Sequence, residues 1–265
     1  MSSPLIVIPA RMASKRFPGK PLADIAGVSM IRRTAHIAAS ISCADYVIAT
    51  DNSEIETHCK TFELPVVMTN PDLPSGSDRT LAAAQIFKGD AEIIVNLQGD
   101  APFTNPSHVE AILTCLSESD VDIATPAIRL TWRALDRLRL DKETTPFSGT
   151  TVIEKVGRAV WFSKAIIPSI RNEEVLRQEN ELSPVLRHVG LYGFRREALE
   201  RFTNLPQSNF EKLEGLEQLR ALENGMSIGI VKVDAPQVSM PGIDTKEDLV
   251  RAEALIKAHG DPFLT

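Results

Sequence analysis

The sequence has few cysteines and no long apolar run. Its three cysteines, Cys43, Cys59 and Cys115, lie far apart and form no Cys-x-x-Cys pair. This argues against a zinc ribbon or a redox motif and indicates a reducing compartment. The apolar run nearest the N-terminus, Leu5–Ile8, is far too short for a signal sequence or a membrane span. We therefore expect a cytoplasmic protein with no membrane partner.

An excess of positive charge is also lacking. Lysine and arginine total 29 and aspartate and glutamate total 35, so the formal net charge is −6. Nucleic-acid-binding proteins present basic surfaces, and we therefore expect no nucleic-acid partner. A chain of 265 residues, of which 43% are hydrophobic, can bury a full core without disulfides or metals. Since no linker or low-complexity tract interrupts it, we predict one domain spanning residues 1–265.

The first half of the chain alternates short apolar runs with helical patterns. The predicted strands are Leu5–Ala10, Tyr46–Thr50, Pro65–Thr69 and Ile93–Leu97. Runs of this kind are typical of strands buried on both faces of a parallel sheet. The helices between them are predicted to begin with Ser29, Ser53 and Ser77 as caps. This alternation predicts an α/β fold with a Rossmann-like, mostly parallel, doubly wound sheet.

The second half shows longer apolar runs that follow one another more closely. The predicted strands here are Asp122–Arg129, Thr150–Glu154, Ala159–Ser163, His188–Arg195 and Ile228–Val233. They predict a smaller mixed β subdomain of about residues 125–205. Arg171–Pro184 is charged and weakly periodic, which indicates a loop or a short helix. Leucines at every third position predict one amphipathic helix over Phe210–Asn224. A last helix is predicted over Thr245–Ala258, with Thr245 as its cap.

A basic loop follows the first predicted strand. Its four cations are Arg11, Lys15, Arg16 and Lys20. Ligands of α/β sheets usually bind at the carboxyl ends of strands, and these side chains suit phosphate oxygens. The loop therefore predicts a polyphosphate site, with a solvated basic loop as the alternative. It is not a Walker A loop, because Pro21 follows Lys20 and Ser14 stands where the first glycine belongs, and no Gly-x-Gly-x-x-Gly follows any strand.

The run from Pro9 to Leu22, Pro-Ala-Arg-x-x-Ser-x-Arg-x-Pro-Gly-Lys-Pro-Leu, resembles the signature loop of cytidylyltransferases that activate acidic sugars. It is most similar to that of the CMP-Kdo synthetases, the 3-deoxy-manno-octulosonate cytidylyltransferases. Further motifs in this family's order are Ala49–Asp51, Ser75–Arg79, Asn96–Asp100, Arg187–Arg195, Leu216–Arg220 and Gly242–Thr245. The resemblance implies a nucleotidyltransferase fold like that of glycosyltransferase-A enzymes. It also implies CMP transfer from CTP to Kdo or a close analogue in lipopolysaccharide or surface-polysaccharide biosynthesis, and a homodimer.

The resemblance also implies a set of site residues. Those for the nucleotide are Pro9, Ala10, Arg11, Ser14, Arg16, Lys20, Ser75, Gly76, Ser77, Arg79 and Gln98. Those for the sugar are Gln98, Arg187, His188, Tyr192 and Gln218. Asp100 and Asp244 are the implied ligands of Mg²⁺, an ion that prefers carboxylate oxygens. The implied catalytic residues are Asp100 and the cations Arg11, Arg16 and Lys20, which would stabilise charge on the departing pyrophosphate.

Three departures from the family pattern keep other functions open. The stretch Arg171–Pro184 has no match in the family. Ala101 stands where the family usually has Glu, and Phe147–Val152 replaces an Asn-x-Val-Lys pattern, so that the family's lysine has no clear counterpart. The sugar is therefore open: Kdo, an amino-substituted Kdo or a sialate-like acid. A nucleotide-binding paralogue with altered catalysis and a glycosyltransferase are the remaining alternatives.

Overall fold

A computed structural model describes residues 3–13, 16–235 and 242–263. The chain divides into two compact units, Met1–Leu113 together with Pro236–Thr265, and Thr114–Ala235. The strands are β1 (Leu5–Ala10), β2 (Asp24–Ile25), β3 (Val28–Ser29), β4 (Asp45–Thr50), β5 (Val66–Met68), β6 (Ile93–Asn96), β7 (Ile123–Thr131), β8 (Thr151–Lys155), β9 (Arg158–Ser163), β10 (Leu182–His188), β11 (Tyr192–Arg195) and β12 (Ile228–Lys232). The helices are α1 (Met30–Ala39), α2 (Ser53–Thr61), α3 (Gly76–Phe87), α4 (Pro106–Glu118), α5 (Trp132–Thr144), α6 (Glu173–Glu179), α7 (Arg196–Thr203), α8 (Asn209–Glu214), α9 (Gln218–Glu223) and α10 (Lys246–His259).

The first unit contains a parallel sheet with the strand order β6-β1-β4-β5. The four strands predicted from short apolar runs are confirmed, with ends that differ by about one residue. The chain moves from β1 to β4 and β5 on one side and returns to β6 on the other. In open α/β sheets, ligands bind beyond the carboxyl ends of the strands where the order reverses in this way. Arg11 follows β1 and Asp100 follows β6, so both belong to that edge.

Two helices of the first unit begin earlier than predicted. The predicted cap Ser53 is wrong, because the Asn52 side chain accepts the backbone N–H groups of Glu54 and Ile55, at 2.9 and 3.1 Å. The predicted cap Ser77 is also wrong. Ser75 caps α3, with its hydroxyl accepting the backbone N–H groups of the second and third helical residues. A cap residue needs an extended backbone, which Ser75 has at φ −137° and ψ 172°.

The second unit has mixed strand pairing, as the sequence predicts. Strands β8, β9 and β10 pair antiparallel, β10 and β11 pair antiparallel with β7, and β12 pairs parallel with β7. The chain thus has an α/β fold whose sheet is mixed and partly parallel. In the described part of the chain, no helix is both long enough and apolar enough to cross a membrane.

The predicted strand His188–Arg195 is confirmed at both ends but interrupted over residues 189–191. It is the end of β10 and the whole of β11, separated by a tight turn in which the N–H of Leu191 donates to the carbonyl of Val189 at 2.7 Å. Both segments pair antiparallel with β7 and run in the same direction along it, so the turn is an irregularity within one continuous pairing. The charged segment before it contains the short helix α6 and the first residues of β10.

The single helix predicted over Phe210–Asn224 is also wrong. The chain forms α8 and α9, which are separated at Gly215, where φ is +63°. Leu213 is 69% exposed, whereas Leu216 and Leu219 are buried, so the three leucines do not share one face. The buried Glu211 carboxylate accepts both Nε and Nη2 of Arg220 and joins the two helices. The break is therefore stabilised by a contact that leucine spacing does not encode.

Candidate functional site

The basic loop after β1 is anchored at both ends. Phe17 is buried in a cluster with Ile25, Met30 and Ile243. Gly19 has φ +75° and donates its N–H to the Met12 carbonyl at 3.1 Å, a backbone conformation that favours glycine. These contacts fix the positions of Phe17 and Gly19. Arg16 is exposed at the rim, whereas the Lys20 side chain is mostly buried. The predicted Ser14 and Lys15 lie outside the described residues.

Asp100 lies beside this loop because Gly99 allows a very close backbone approach. A Cβ atom at Gly99 would stand 2.6 Å from the carbonyl oxygen of Pro9, a distance that no side chain tolerates. Only glycine therefore lets the segment after β6 pass the end of β1 so closely. As a result, the Asp100 carboxylate accepts a hydrogen bond from Lys20 Nζ.

Asp244 reaches the same place from the other end of the sequence. The N–H of Ile243 donates to the Asp100 carbonyl at 2.8 Å, and Ile243 is buried. A Cβ atom at Gly242 would stand only 3.2 Å from that carbonyl, so glycine again permits the approach. Lys20 Nζ donates to Asp244 Oδ1 at 3.1 Å, and Arg16 Nη2 lies 2.9 Å from Asp244 Oδ2. Two carboxylates and two cations thus form one charged cluster.

A cleft of about 170 Å³ lies next to this cluster in the first unit. The predicted site residues that line it are Pro9, Ala10, Arg11, Lys20, Ser75, Gly76, Arg79, Gln98 and Asp100. Arg16, Ser77 and Asp244 do not line it, although Arg16 and Asp244 belong to the charged cluster. Leu73 and Pro21 also line the cleft and were not predicted, since neither carries a polar group that sequence reasoning would single out.

Hydrogen bonds fix the polar side chains of Ser75 and Arg79 around the start of α3. Arg79 is buried, donating from Nη1 to Thr69 Oγ1 at 2.5 Å and from Nη2 to Asp51 Oδ2 at 2.6 Å. Ser75 caps the helix and also donates its hydroxyl to Asp78 Oδ2 at 2.6 Å. The N-terminus of α3, which favours negative charge, begins at Gly76 in the cleft lining. The cleft therefore combines a rigid polar wall with the cations of the loop.

The residues predicted for the sugar lie in the second unit, apart from Gln98. Arg187 and His188 end β10, Tyr192 begins β11 and Gln218 begins α9. His188 Nε2 is 2.9 Å from Thr125 Oγ1, and its ring packs edge-on against Phe162 at a centroid distance of 5.1 Å.

Burial shifts the pKa values of the side chains predicted to bind the sugar. Burial is the larger cause and the charge of Lys164 the smaller one that lower the pKa of His188 to about 3. The imidazole is therefore neutral at pH 7. Burial likewise raises the pKa of Tyr192 and lowers that of Arg187. His188 and Tyr192 thus present neutral hydrogen-bonding groups, which suit hydroxyls.

The amide group of Gln218 is buried, and its N–H donors have no hydrogen-bond acceptor among the described residues. The residue is 5% exposed, and its Nε2 has no hydrogen-bond partner in the described part of the chain. A buried amide N–H that lacks an acceptor is costly, and such a group commonly serves a ligand.

Asp100 and Asp244 suit a hard divalent cation. The described residues contain no cluster of three or more His, Cys, Asp or Glu side chains that could hold a metal. Mg²⁺ does not require one, since it is usually held by one or two carboxylates with phosphate and water. Both carboxylates already converge on the Lys20 ammonium, which shows that this position accepts positive charge.

Comparisons with known proteins identify the family of this chain. A family model described as cytidylyltransferase matches residues 5–228. The chain is 43% identical over 262 residues to a 3-deoxy-manno-octulosonate cytidylyltransferase of Maricaulis maris, covering 98% of the chain and 99% of that protein. It is 40% identical to the protein of the same name from Paramagnetospirillum magneticum, covering 97% and 98%.

Solved structures extend the comparison. A CMP:2-keto-3-deoxy-manno-octonic acid synthetase complexed with CTP matches with a TM-score of 0.83 and 33% identity, over 97% of this chain and 99% of that one. A cytidylyltransferase from Leptospira borgpetersenii matches with a TM-score of 0.63 at 14% identity, over 100% and 92%. The second likeness bears on the fold alone.

Proposed function

This chain belongs to the cytidylyltransferase family and, within it, to the 3-deoxy-manno-octulosonate cytidylyltransferases, or CMP-Kdo synthetases; on that premise we propose that it transfers CMP from CTP to Kdo. The anomeric hydroxyl of the sugar attacks the α-phosphate, and pyrophosphate leaves. The observation that carries the proposal is the convergence of Arg16, Lys20, Asp100 and Asp244 beside a cleft at the carboxyl edge of a parallel sheet.

In this proposal the cations of the loop bind the triphosphate. Arg11, Arg16 and Lys20 stabilise the negative charge that develops on the leaving pyrophosphate, the electrostatic contribution that dominates phosphoryl-type transfer. The remaining nucleotide contacts are assigned to Pro9, Ala10, Ser14, Ser75, Gly76, Ser77, Arg79 and Gln98. Asp100 and Asp244 would hold Mg²⁺, which, when bound, supplies charge neutralisation and Lewis acidity.

The sugar is assigned to Gln98, Arg187, His188, Tyr192 and Gln218. We also propose that the chain is one nucleotidyltransferase domain, doubly wound and glycosyltransferase-A-like, in which residues 125–205 contribute the sugar site and dimer contacts. We propose further that the protein is a cytoplasmic homodimer that acts in lipopolysaccharide or surface-polysaccharide synthesis.

The direct test measures pyrophosphate release from CTP, Kdo and Mg²⁺. A panel of nucleoside triphosphates and of sugar acids, including amino-substituted Kdo and sialate, defines the specificity. CTP that raises the melting temperature without turnover would indicate a catalytically altered paralogue. Tighter binding of a nucleotide sugar than of CTP would indicate a glycosyltransferase.

Arg16→Ala is expected to weaken CTP binding about tenfold. It removes one charge-assisted contact at the exposed rim, where solvent limits the contribution to about 1.4 kcal/mol. Titration calorimetry with CTP measures the change, and Arg251→Ala, which removes an exposed arginine from α10 of the same unit, serves as the control. If Arg16→Ala weakens the sugar instead and leaves CTP unchanged, the loop does not bind the triphosphate.

A further inference from the structure

Asp51 and Thr69 lie side by side where two neighbouring strands of the first unit end. Strands β4 and β5 pair in parallel, with Thr50 opposite Met68. Asp51 is the residue after β4 and Thr69 the residue after β5, so continuing this register places them opposite each other. Neither side chain lines the cleft of about 170 Å³ at this edge of the sheet. Any effect that they have on a ligand in the cleft must therefore pass through another residue.

That residue is Arg79, in the first turn of α3. Its Nη2 donates to Asp51 Oδ2 at 2.6 Å, and its Nη1 donates to Thr69 Oγ1 at 2.5 Å. The Arg79 side chain is 4% exposed and that of Asp51 is 18% exposed, so this ion pair is largely shielded from solvent. Because Arg79 also lines the cleft, the two hydrogen bonds hold a buried guanidinium at the cleft wall.

The hydroxyl group of Thr69 is oriented so that it can only accept a hydrogen bond from Arg79. Its O–H donates to the Thr50 carbonyl at 3.1 Å, and the Thr69 backbone N–H donates to the same carbonyl at 2.8 Å. A hydroxyl has one hydrogen and two acceptor lone pairs, so the oxygen remains free to accept. The backbone of β4 thus fixes the direction in which the guanidinium meets Thr69.

Arg79 retains donors that Asp51 and Thr69 do not use. A guanidinium carries five N–H groups in a planar fork, of which each of these two partners accepts one. The remaining N–H groups form no hydrogen bond with any residue that the structure describes. A plane that is held at two corners keeps its remaining donors in a defined direction. Since a buried donor without an acceptor is costly, a ligand in the cleft that supplies acceptor atoms is favoured.

The ion pair also determines how Arg79 can act on an anion. The negative charge of Asp51 offsets the positive charge of Arg79, so the pair adds little net charge to the cleft. Arg79 therefore acts through directed hydrogen bonds rather than as a free cation. Removing the charge of Asp51 would release the guanidinium from its fixed orientation, but it would also leave more positive charge beside the cleft. These two effects change the affinity for a triphosphate in opposite directions.

We propose that Asp51, together with Thr69, is a positioning residue that orients the guanidinium of Arg79 toward CTP. Asp51 acts through Arg79 and does not contact the nucleotide itself. This inference rests on the proposed function, which assigns Arg79 to the nucleotide, and deepens it by naming the two side chains on which that contact depends.

The experiment is a double-mutant cycle of Asp51→Asn and Arg79→Met, in which titration calorimetry gives the Kd for CTP. We expect Arg79→Met to raise the Kd about thirtyfold and Asp51→Asn about tenfold, because both lose oriented charge-assisted hydrogen bonds. The double variant should stay within about twofold of Arg79→Met. Asp90→Asn makes the same chemical change at an exposed position of the same unit and should bind CTP like the wild type.

The calorimetric titration also separates positioning from a loss of folded protein. Partial unfolding lowers the number of binding sites per chain, whereas misorientation of Arg79 raises the Kd of sites that are present. A variant that only loses sites, with an unchanged Kd, shows a purely structural role and counts against the inference. If Asp51→Asn does not fold, Thr69→Val takes its place in the cycle. A raised Kd that disappears in the Arg79→Met background then supports the inference, and a wild-type Kd contradicts it.

The remaining outcomes distinguish this inference from the proposed function. Additive effects, near three-hundredfold in the double variant, would show that Asp51 acts on CTP independently of Arg79. Tighter CTP binding by Asp51→Asn would show that Asp51 merely reduces the positive charge of the cleft. Either result overturns the inference while the wild type still turns over CTP and Kdo. A wild type that binds no CTP overturns the proposed function and the inference with it.

Discussion

Asp100→Asn is expected to lower kcat about a thousandfold while leaving the fold intact. Asparagine keeps the shape of the side chain but removes its negative charge at the point where Lys20 and Asp244 meet. A carboxylate that holds a divalent cation contributes several kcal/mol of charge stabilisation, and each 1.4 kcal/mol is about tenfold in rate. Pyrophosphate release measures kcat, and thermal unfolding checks the fold.

The control for this variant is Asp90→Asn, which makes the same chemical change at an exposed position. Calorimetric titration with Mn²⁺ in the presence of CTP gives a second measure, in which Asp100→Asn should bind the metal more weakly than Asp90→Asn does. Retention of more than half of the wild-type kcat, or unchanged Mn²⁺ binding, would show that Asp100 is not a metal ligand.

The position of Asp100 can be predicted from the sequence, whereas its proximity to Asp244 cannot. A short apolar run is a local signal, and an aspartate after such a run lies at the carboxyl edge of a parallel sheet. The approach of Asp244 depends on one backbone hydrogen bond between Ile243 and Asp100 and on the absence of a Cβ at Gly242. No spacing rule encodes contacts of that kind, and only family resemblance had paired the two residues.

The second unit was less predictable for a related reason. Leucine spacing gave one helix where Gly215 and the Glu211–Arg220 ion pair produce two. These are tertiary effects that override local patterns.

Among the described residues of the first unit, the ion pair of Arg33 with Asp261 has the least exposed side chains. Its Nη1 and Nη2 donate to the two carboxylate oxygens of Asp261, at 2.6 and 2.8 Å. Nε and Nη2 also donate to the Ile25 carbonyl, at 3.1 and 2.6 Å. The two side chains are only 2% and 9% exposed. The guanidinium therefore connects α1, β2 and the residues after α10.

Arg33→Met is expected to lower the free energy of unfolding by about 3–5 kcal/mol at neutral pH. Breaking a buried pair from one side leaves an uncompensated buried charge on Asp261, and the Ile25 carbonyl loses its donors. Urea denaturation measures the change. Arg133→Met, at an exposed position of α5, is the matched control and should stay within about 0.5 kcal/mol of the wild type.

The same pair predicts how this loss depends on pH. The hydrogen bonds from Arg33, the largest influence, together with the Phe263 N–H, hold the pKa of Asp261 below its usual value. A carboxyl whose folded pKa is depressed contributes stability that is complete above the unfolded value of about 3.9 and disappears as the pH falls through the folded pKa. The difference in unfolding free energy between wild type and Arg33→Met should therefore be largest near neutral pH and shrink below about pH 4. A difference that stays constant or grows on acidification would mean that Arg33 stabilises the fold by packing and its contact with Ile25 rather than through the Asp261 charge.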